Sequence, residues 1–169
     1  MPGNELLIDG FGRVREIVHE VLDGLTQPEL EFRIDPEANS ICWLIWHLTR
    51  VQDDHVAGAE GAEQAWLAGG WEERVGLPLD PADTGYGHDA DEVGVVRVPA
   101  DLLAGYHDAT CERTISFVSG LTDADMDKIV DRRWDPPVTM GVRLVSVLSD
   151  DLQHGGQAAY VKGILERRG

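Results

Sequence analysis

Cysteine is nearly absent from this chain, with Cys42 and Cys111 the only two. Both fall in segments that read as helical, so no disulfide framework is available, and the two are expected to be reduced, buried thiols of a cytoplasmic protein. Positive charge is also scarce: 14 Lys and Arg stand against 31 Asp and Glu, a formal charge of −17. Phosphate contacts require clustered cations, so this balance opposes nucleic acid as a partner and disfavours an anionic membrane surface. No apolar run approaches the ~20 residues of a membrane span. Met1-Pro-Gly-Asn-Glu5 shows neither the basic nor the apolar region of a signal peptide. Internal repeats, low-complexity tracts and a convincing set of strands are all missing.

Helical periodicity dominates what is there. Leu7, Phe11, Val14, Val18, Val21, Leu22 and Leu25 recur at helical spacing over Leu6–Leu25, and Thr26-Gln-Pro28 ends that helix. Glu29–Pro36 reads as a connection. Asn39 or Ser40 caps a second helix that runs to about Ala57 or beyond and whose apolar start marks it as buried on most sides. A short helix is expected over Glu60–Leu67. Ala68–Val98, rich in Gly, Pro and Asp, reads as a long connection with one helical turn at Ala90–Val96, and its tryptophans and Tyr86 suit an ordered wall. Pro99 opens a third helix over Ala100–Gly120. Asp131–Val138 reads as extended and stiffened by proline, and the last helix spans about Gly141–Glu166. Four substantial helices with long crossover connections give an all-α four-helix bundle, a single domain over 1–169.

The chemistry concentrates on the last helix. In Ser149-Asp-Asp-Leu-Gln-His-Gly-Gly-Gln157, residues Asp150, His154 and Gln157 share one face. His47, on the second helix, supplies a third candidate ligand. Two imidazoles and a carboxylate hold a divalent cation and leave positions open, which is the arrangement of a catalytic site rather than a closed structural one. The spacing alone also describes a capped or salt-bridged helix face with His154 hydrogen-bonded in the core. Asp151 competes with Asp150 for the ligand role, since by phase it points deeper into the apolar face. Trp43, His47, Arg50 and Asp54 form one stripe, in which Arg50 reads either as a group facing the substrate or as a partner of Asp54. Gln157 would orient a ligand or a bound water. His19, His55, His88 and His107 read as structural or surface residues, with His55 near a pocket rim.

Asn39-Ser-Ile-Cys-Trp-Leu-Ile-Trp-His47 and Asp150-Asp-Leu-Gln-His154-Gly-Gly-Gln157 together resemble the DinB/YfiT-like superfamily of metal-dependent four-helix bundles over nearly the full length. Members carry one metal-binding His on the second helix and a His-x3-His pair, followed by Gly-Gln, on the last. Here Asp150 replaces the first His of that pair, as in the mixed His/carboxylate set of the mycothiol-dependent maleylpyruvate isomerases of the same superfamily. The stretches 83–88, 134–139 and 141–146 are similar to an actinobacterial subgroup. The resemblance implies that His47, Asp150 and His154 bind metal. It also implies a transferase that moves a low-molecular-weight thiol such as mycothiol onto an electrophilic small molecule, and a homodimer. Gln157 and Arg50 are then the candidate catalytic residues, and Trp43, Tyr86 and Trp134 the candidate pocket walls. Zinc leads among the metals, with nickel, iron and manganese as alternatives. A metal-dependent hydrolase or isomerase and a non-catalytic metal-binding stress protein are the competing functions.

Overall fold

Four long helices form the frame in the computed structural model, which describes residues 1–168. Helix α1 covers Gly3–Leu22 and buries Leu7, Phe11, Val14, Val18, Val21 and Leu22 at the spacing read from the sequence. It ends before Gly24, whose φ of +75° reverses the chain. A single turn, α2 (Gln27–Leu30), follows in the segment read as a connection. Thr26 and Glu29 close a capping box around it.

Helix α3 (Ile41–Glu60) starts at Ser40, whose hydroxyl accepts from the Trp43 amide at 3.1 Å. It stops at Gly61, in the left-handed region at φ +76°. Residues 41–50 are all buried, so the start of this helix runs through the middle of the core. The long connection to the next frame helix is ordered. It contains α4 (Ala65–Ala68), α5 (Trp71–Val75) and α6 (Ala90–Val95), the last capped by the Asp89 carboxylate. Helix α7 (Ala100–Ser119) follows Pro99. The last helix, α8 (Met140–Arg168), is the longest at 29 residues.

The frame helices pack in a ring. α1 and α3 each contact both α7 and α8, so α1 lies diagonally across from α3. The core holds Phe11, Trp46, Tyr106 and Leu144, each 2% exposed or less. Burying side chains of this size stabilises the fold by roughly 1.5–3 kcal/mol each. The architecture is the all-α bundle expected, with one addition. A 3₁₀ turn (Asp123–Asp127) leads into a two-stranded antiparallel ribbon, β1 (Ile129–Asp131) with β2 (Val138–Thr139). Strands of three and two residues are too short to display a period of two, so the sequence showed only an extended segment there. This ribbon delivers Asp131, Arg133 and Trp134 to the flank of α8.

Candidate metal centre

His47 projects from the second turn of α3, and Asp150 and His154 from the middle of α8, one turn apart. One ligand atom from each of the three lies within 4.8 Å of the other two. The two imidazoles meet edge to face with centroids 4.8 Å apart, and His154 Nε2 sits 3.6 Å from Asp150 Oδ1.

The hydrogen bonds set the free nitrogens. His47 Nδ1 donates to the Thr84 carbonyl. His154 Nδ1 donates to Gln157 Oε1 at 2.9 Å. Each ring therefore offers the lone pair of its Nε2, which is how an outer hydrogen bond prepares a histidine for metal. Asp150 Oδ2 is buried and has no hydrogen-bond partner among the described residues. A buried acceptor left bare costs roughly 1–3 kcal/mol, and more when charged, so a cation here would satisfy an atom the protein leaves unsatisfied. The donor set thus fits a divalent metal with open positions.

Electrostatics separate the three. Burial holds the His47 imidazole below its ordinary range, against the opposing pull of its bond to Thr84. His154 moves the other way, raised first by its interaction with Asp150 while burial opposes. For Asp150, burial is the largest influence and acts upward, but His154 and His47 together bring its carboxyl below the usual value.

The neighbouring carboxylate behaves differently. Asp151 is 0% exposed and lies on the buried stripe of α8 with Val147, Gly155 and Ala158. Neither of its oxygens has a hydrogen-bond partner among the described residues, and burial pushes its carboxyl well above the ordinary value. Of the two adjacent acids, Asp150 joins the histidines and Asp151 faces the core.

Loop 81–88 fixes His47 from above. Gly85, at φ +86°, lets the loop lie so close that a Cβ there would fall 2.9 Å from His47 Nδ1. Asp83 accepts from the Gly85 amide at 2.7 Å and from His88 Nε2 at 2.9 Å. His88 Nδ1 in turn accepts from Trp43 Nε1 at 3.1 Å. His88, read from the sequence as a structural or surface residue, therefore ties the loop to α3. Of the two glycines flanking Tyr86, Gly85 makes the close approach, while a Cβ at Gly87 would meet nothing within 4 Å.

Arg50 requires a correction as a candidate catalytic residue. It is 0% exposed and lines none of the cavity beside the ligands. Its guanidinium donates to Gln64 Oε1 at 2.8 Å, Tyr106 Oη at 3.1 Å, and the carbonyls of Asp83 at 3.1 Å and Pro81 at 3.2 Å. Nor does it pair with Asp54. Its nearest carboxylate is Asp53, at 3.8 Å, and Asp54 accepts from Gln64 Nε2 instead. Arg50 is an anchor for the loop that holds His47. The stripe shared by Arg50 and His47 is real, but the loop covers its Arg50 end.

A cavity of about 790 Å³ opens beside the cluster and reaches His47 and Asp150 but not His154. His47, Asp150 and Thr84 lie at its floor, His55 is on its wall, and Tyr86 and Trp134 stand at its mouth. Those two aromatics are 92% and 65% exposed. Trp43 does not line this cavity. It backs His47 instead, with ring centroids 4.4 Å apart. Gln157 sits behind His154, lining a neighbouring groove with Leu152 and Tyr160. Sequence reasoning passed over Arg143 and Arg133, which also line the cavity.

No functionally curated protein matches the sequence. The crystal structure of a conserved protein from Enterococcus faecalis superposes with a TM-score of 0.89 at 30% identity, covering 96% of each chain. The profile of the DinB superfamily, a metal-binding group, matches residues 11–158. By these matches, and by a bundle that brings one histidine of α3 to a carboxylate–histidine pair of α8, the chain belongs to the DinB superfamily.

Proposed function

We propose that the protein is a metal-dependent transferase that moves a low-molecular-weight thiol, such as mycothiol, onto an electrophilic small molecule. The observation that carries this reading is the three-ligand cluster of His47, Asp150 and His154, with its bare Asp150 oxygen, two members of which, His47 and Asp150, line an open cavity. A divalent cation held there would act as a Lewis acid and lower the pKa of a thiol that enters its open position.

The protein's own side chains do the rest. Thr84 and Gln157 hold the two imidazoles in the tautomer that presents Nε2. Trp43 and the loop it helps to tie down keep His47 in place. Tyr86 and Trp134 offer flat faces to a substrate entering the mouth. No protein thiol competes for the nucleophile's part. Burial pushes Cys42 up to about 12 and Cys111 up to about 11, and neither lines the cavity. The thiolate is the reactive form, so the sulfur nucleophile comes from a small molecule.

Elemental analysis of untagged protein beside His47→Ala and His154→Ala, followed by a mycothiol and monochlorobimane assay, tests the reading. The expected result is about one divalent ion per chain, lost in both variants together with thiol transfer. A folded protein that stays metal-free after incubation with Zn²⁺ and Ni²⁺ would overturn it.

A further inference from the structure

We propose that the outer half of the same cavity is an anion site, built on Arg143 and Arg133, that takes the carboxylate of a small planar substrate. The identity of the arriving molecule as an electrophile rests on the transferase reading; the anion site itself does not require the metal.

Two guanidiniums converge on one carboxylate at this place. Arg133 donates to Asp131 through Nε at 3.0 Å and Nη2 at 2.8 Å, and Arg143 donates to the same Asp131 Oδ2 from Nη2 at 3.0 Å. Asp131 can neutralise one of them, and the other carboxylate lining the cavity, Asp150, sits seven positions along α8 among the candidate metal ligands, so the Arg133–Arg143 end carries one positive charge more than its own carboxylate balances. Such a surplus stands out in a chain of formal charge −17. Elsewhere Arg13 has Asp9 and Arg15 has Asp108, so those cations are matched locally.

Arg143 is the better held of the two. Its side chain is 14% exposed, against 84% for Arg133. A guanidinium carries five N–H donors, and Arg143 makes one hydrogen bond among the described residues. A mostly buried cation with spare donors on a cavity wall calls for an anionic oxygen group, and the planar fork of arginine matches a carboxylate in two-point fashion. His55, on the same wall, responds to that field: after burial, the charge of Arg143 is the next influence that lowers its imidazole. His55 therefore adds no cation of its own.

The helix supplies a ruler. Arg143, Ser146 and Asp150 all line the cavity along one side of α8. Seven residues separate Arg143 from Asp150, a rise of about 10 Å at 1.5 Å per residue. A molecule that reaches from the metal ligands to Arg143 is therefore on the order of 10 Å long, about one ring with a short arm. Tyr86 and Trp134, exposed at the mouth, suit the flat body of such a molecule.

The test is an NMR titration of the protein with benzoate, phenyl phosphate and neutral benzamide, with metal content measured in each sample. Benzoate is expected to bind at least tenfold more tightly than benzamide. Arg143→Gln should remove that preference at unchanged metal content. Arg133→Gln should weaken it several-fold, because Asp131 then neutralises Arg143; as an exposed residue, Arg133 keeps the test valid should Arg143→Gln fail to fold. A tighter grip on phenyl phosphate would support the anion site and rename its head group. Equal binding of benzoate and benzamide overturns the proposal. So does a preference that survives in Arg143→Gln, which would place the carboxylate on the metal. Protein that stays metal-free yet prefers benzoate through Arg143 would sink the transferase reading and leave the anion site standing.

Discussion

Trp43 lies flat against His47, with ring centroids 4.4 Å apart and planes 13° apart. The residues are one turn apart on α3, so helical geometry alone brings them together. The indole also touches His154 edge-on, at 6.2 Å. One aromatic side chain therefore backs both imidazoles of the candidate metal centre while its Nε1 ties down loop 81–88 through His88.

Trp43→Ala should cost about 3–5 kcal/mol, as for other large aromatic truncations in a core. Trp43→Phe keeps a ring but loses the bond to His88, and should cost about 1 kcal/mol beyond the small volume change. Denaturant unfolding of both variants checks the two figures. Both should also bind Zn²⁺ more weakly than the wild type by calorimetry, Trp43→Ala the more so.

The adjacent acids should separate cleanly. Asp150→Asn is expected to abolish stoichiometric metal, because it removes the anionic ligand. Asp151→Asn is expected to retain it and to raise stability at pH 7, since burial raises the Asp151 carboxyl and folding must then overcome the preference of the unfolded chain for the ionised form, a penalty asparagine does not carry. Metal content and unfolding midpoints of the pair decide it. Loss of metal in Asp151→Asn alone would reverse the assignment.

Two glycines of the loop offer a matched comparison. Gly85 and Gly87 both have left-handed φ, +86° and +81°, so alanine at either costs about 1–2 kcal/mol in backbone strain. Only at Gly85 does the added methyl strike His47 and Trp46; at Gly87 nothing lies within 4 Å. Gly85→Ala should therefore lower metal affinity at least tenfold, while Gly87→Ala leaves it unchanged. Equal effects on Zn²⁺ binding would remove the loop from the site.

Arg50→Met should destabilise by about 3 kcal/mol, the range for breaking a buried charged network from one side. The loss should extend to the site, because the carbonyls of Pro81 and Asp83 are then unanchored next to Thr84. Limited proteolysis should cut within residues 81–88 in this variant and spare the wild type.

His107 predicts an acid limb of stability. Its ring is fully buried. Nδ1 meets the Thr49 hydroxyl at 3.1 Å, and Nε2 has no partner among the described residues. Burial lowers its imidazole from 6.5 to about 4. Between those values the unfolded chain binds the proton and the folded one does not, so stability falls as pH drops from 6.5 toward 4. At ~1.4 kcal/mol per pH unit the loss amounts to about 3 kcal/mol. His107→Asn keeps a donor toward Thr49 without a titrating ring, and its unfolding free energy should lack this slope relative to the wild type.

Much of this was legible in the chain, for local reasons. The 3.6-residue period marked the four frame helices. The same period put Asp150, His154 and Gln157 on one face and pointed Asp151 toward the core. Ser40 and Pro99 mark boundaries through capping rules that need no tertiary partner, whereas Gly61, which ends α3, fell inside the short helix expected over Glu60–Leu67. The scarcity of cations argues against a polyanionic partner.

What only the tertiary structure decided lies between elements distant in sequence. That Arg50 faces Tyr106 and Gln64 under a loop, rather than the cavity, follows from where residues 81–84 cross α3. That Thr84 holds His47, and that Arg133, Arg143 and Asp131 meet at the cavity wall, depends on a crossover loop and a short ribbon docking on particular helix faces. Helical periodicity fixes which side of a helix faces inward, because it is set by bonds four residues apart. Which loop then covers that side is set by long-range packing, and the spacing of residues in one chain carries no record of it.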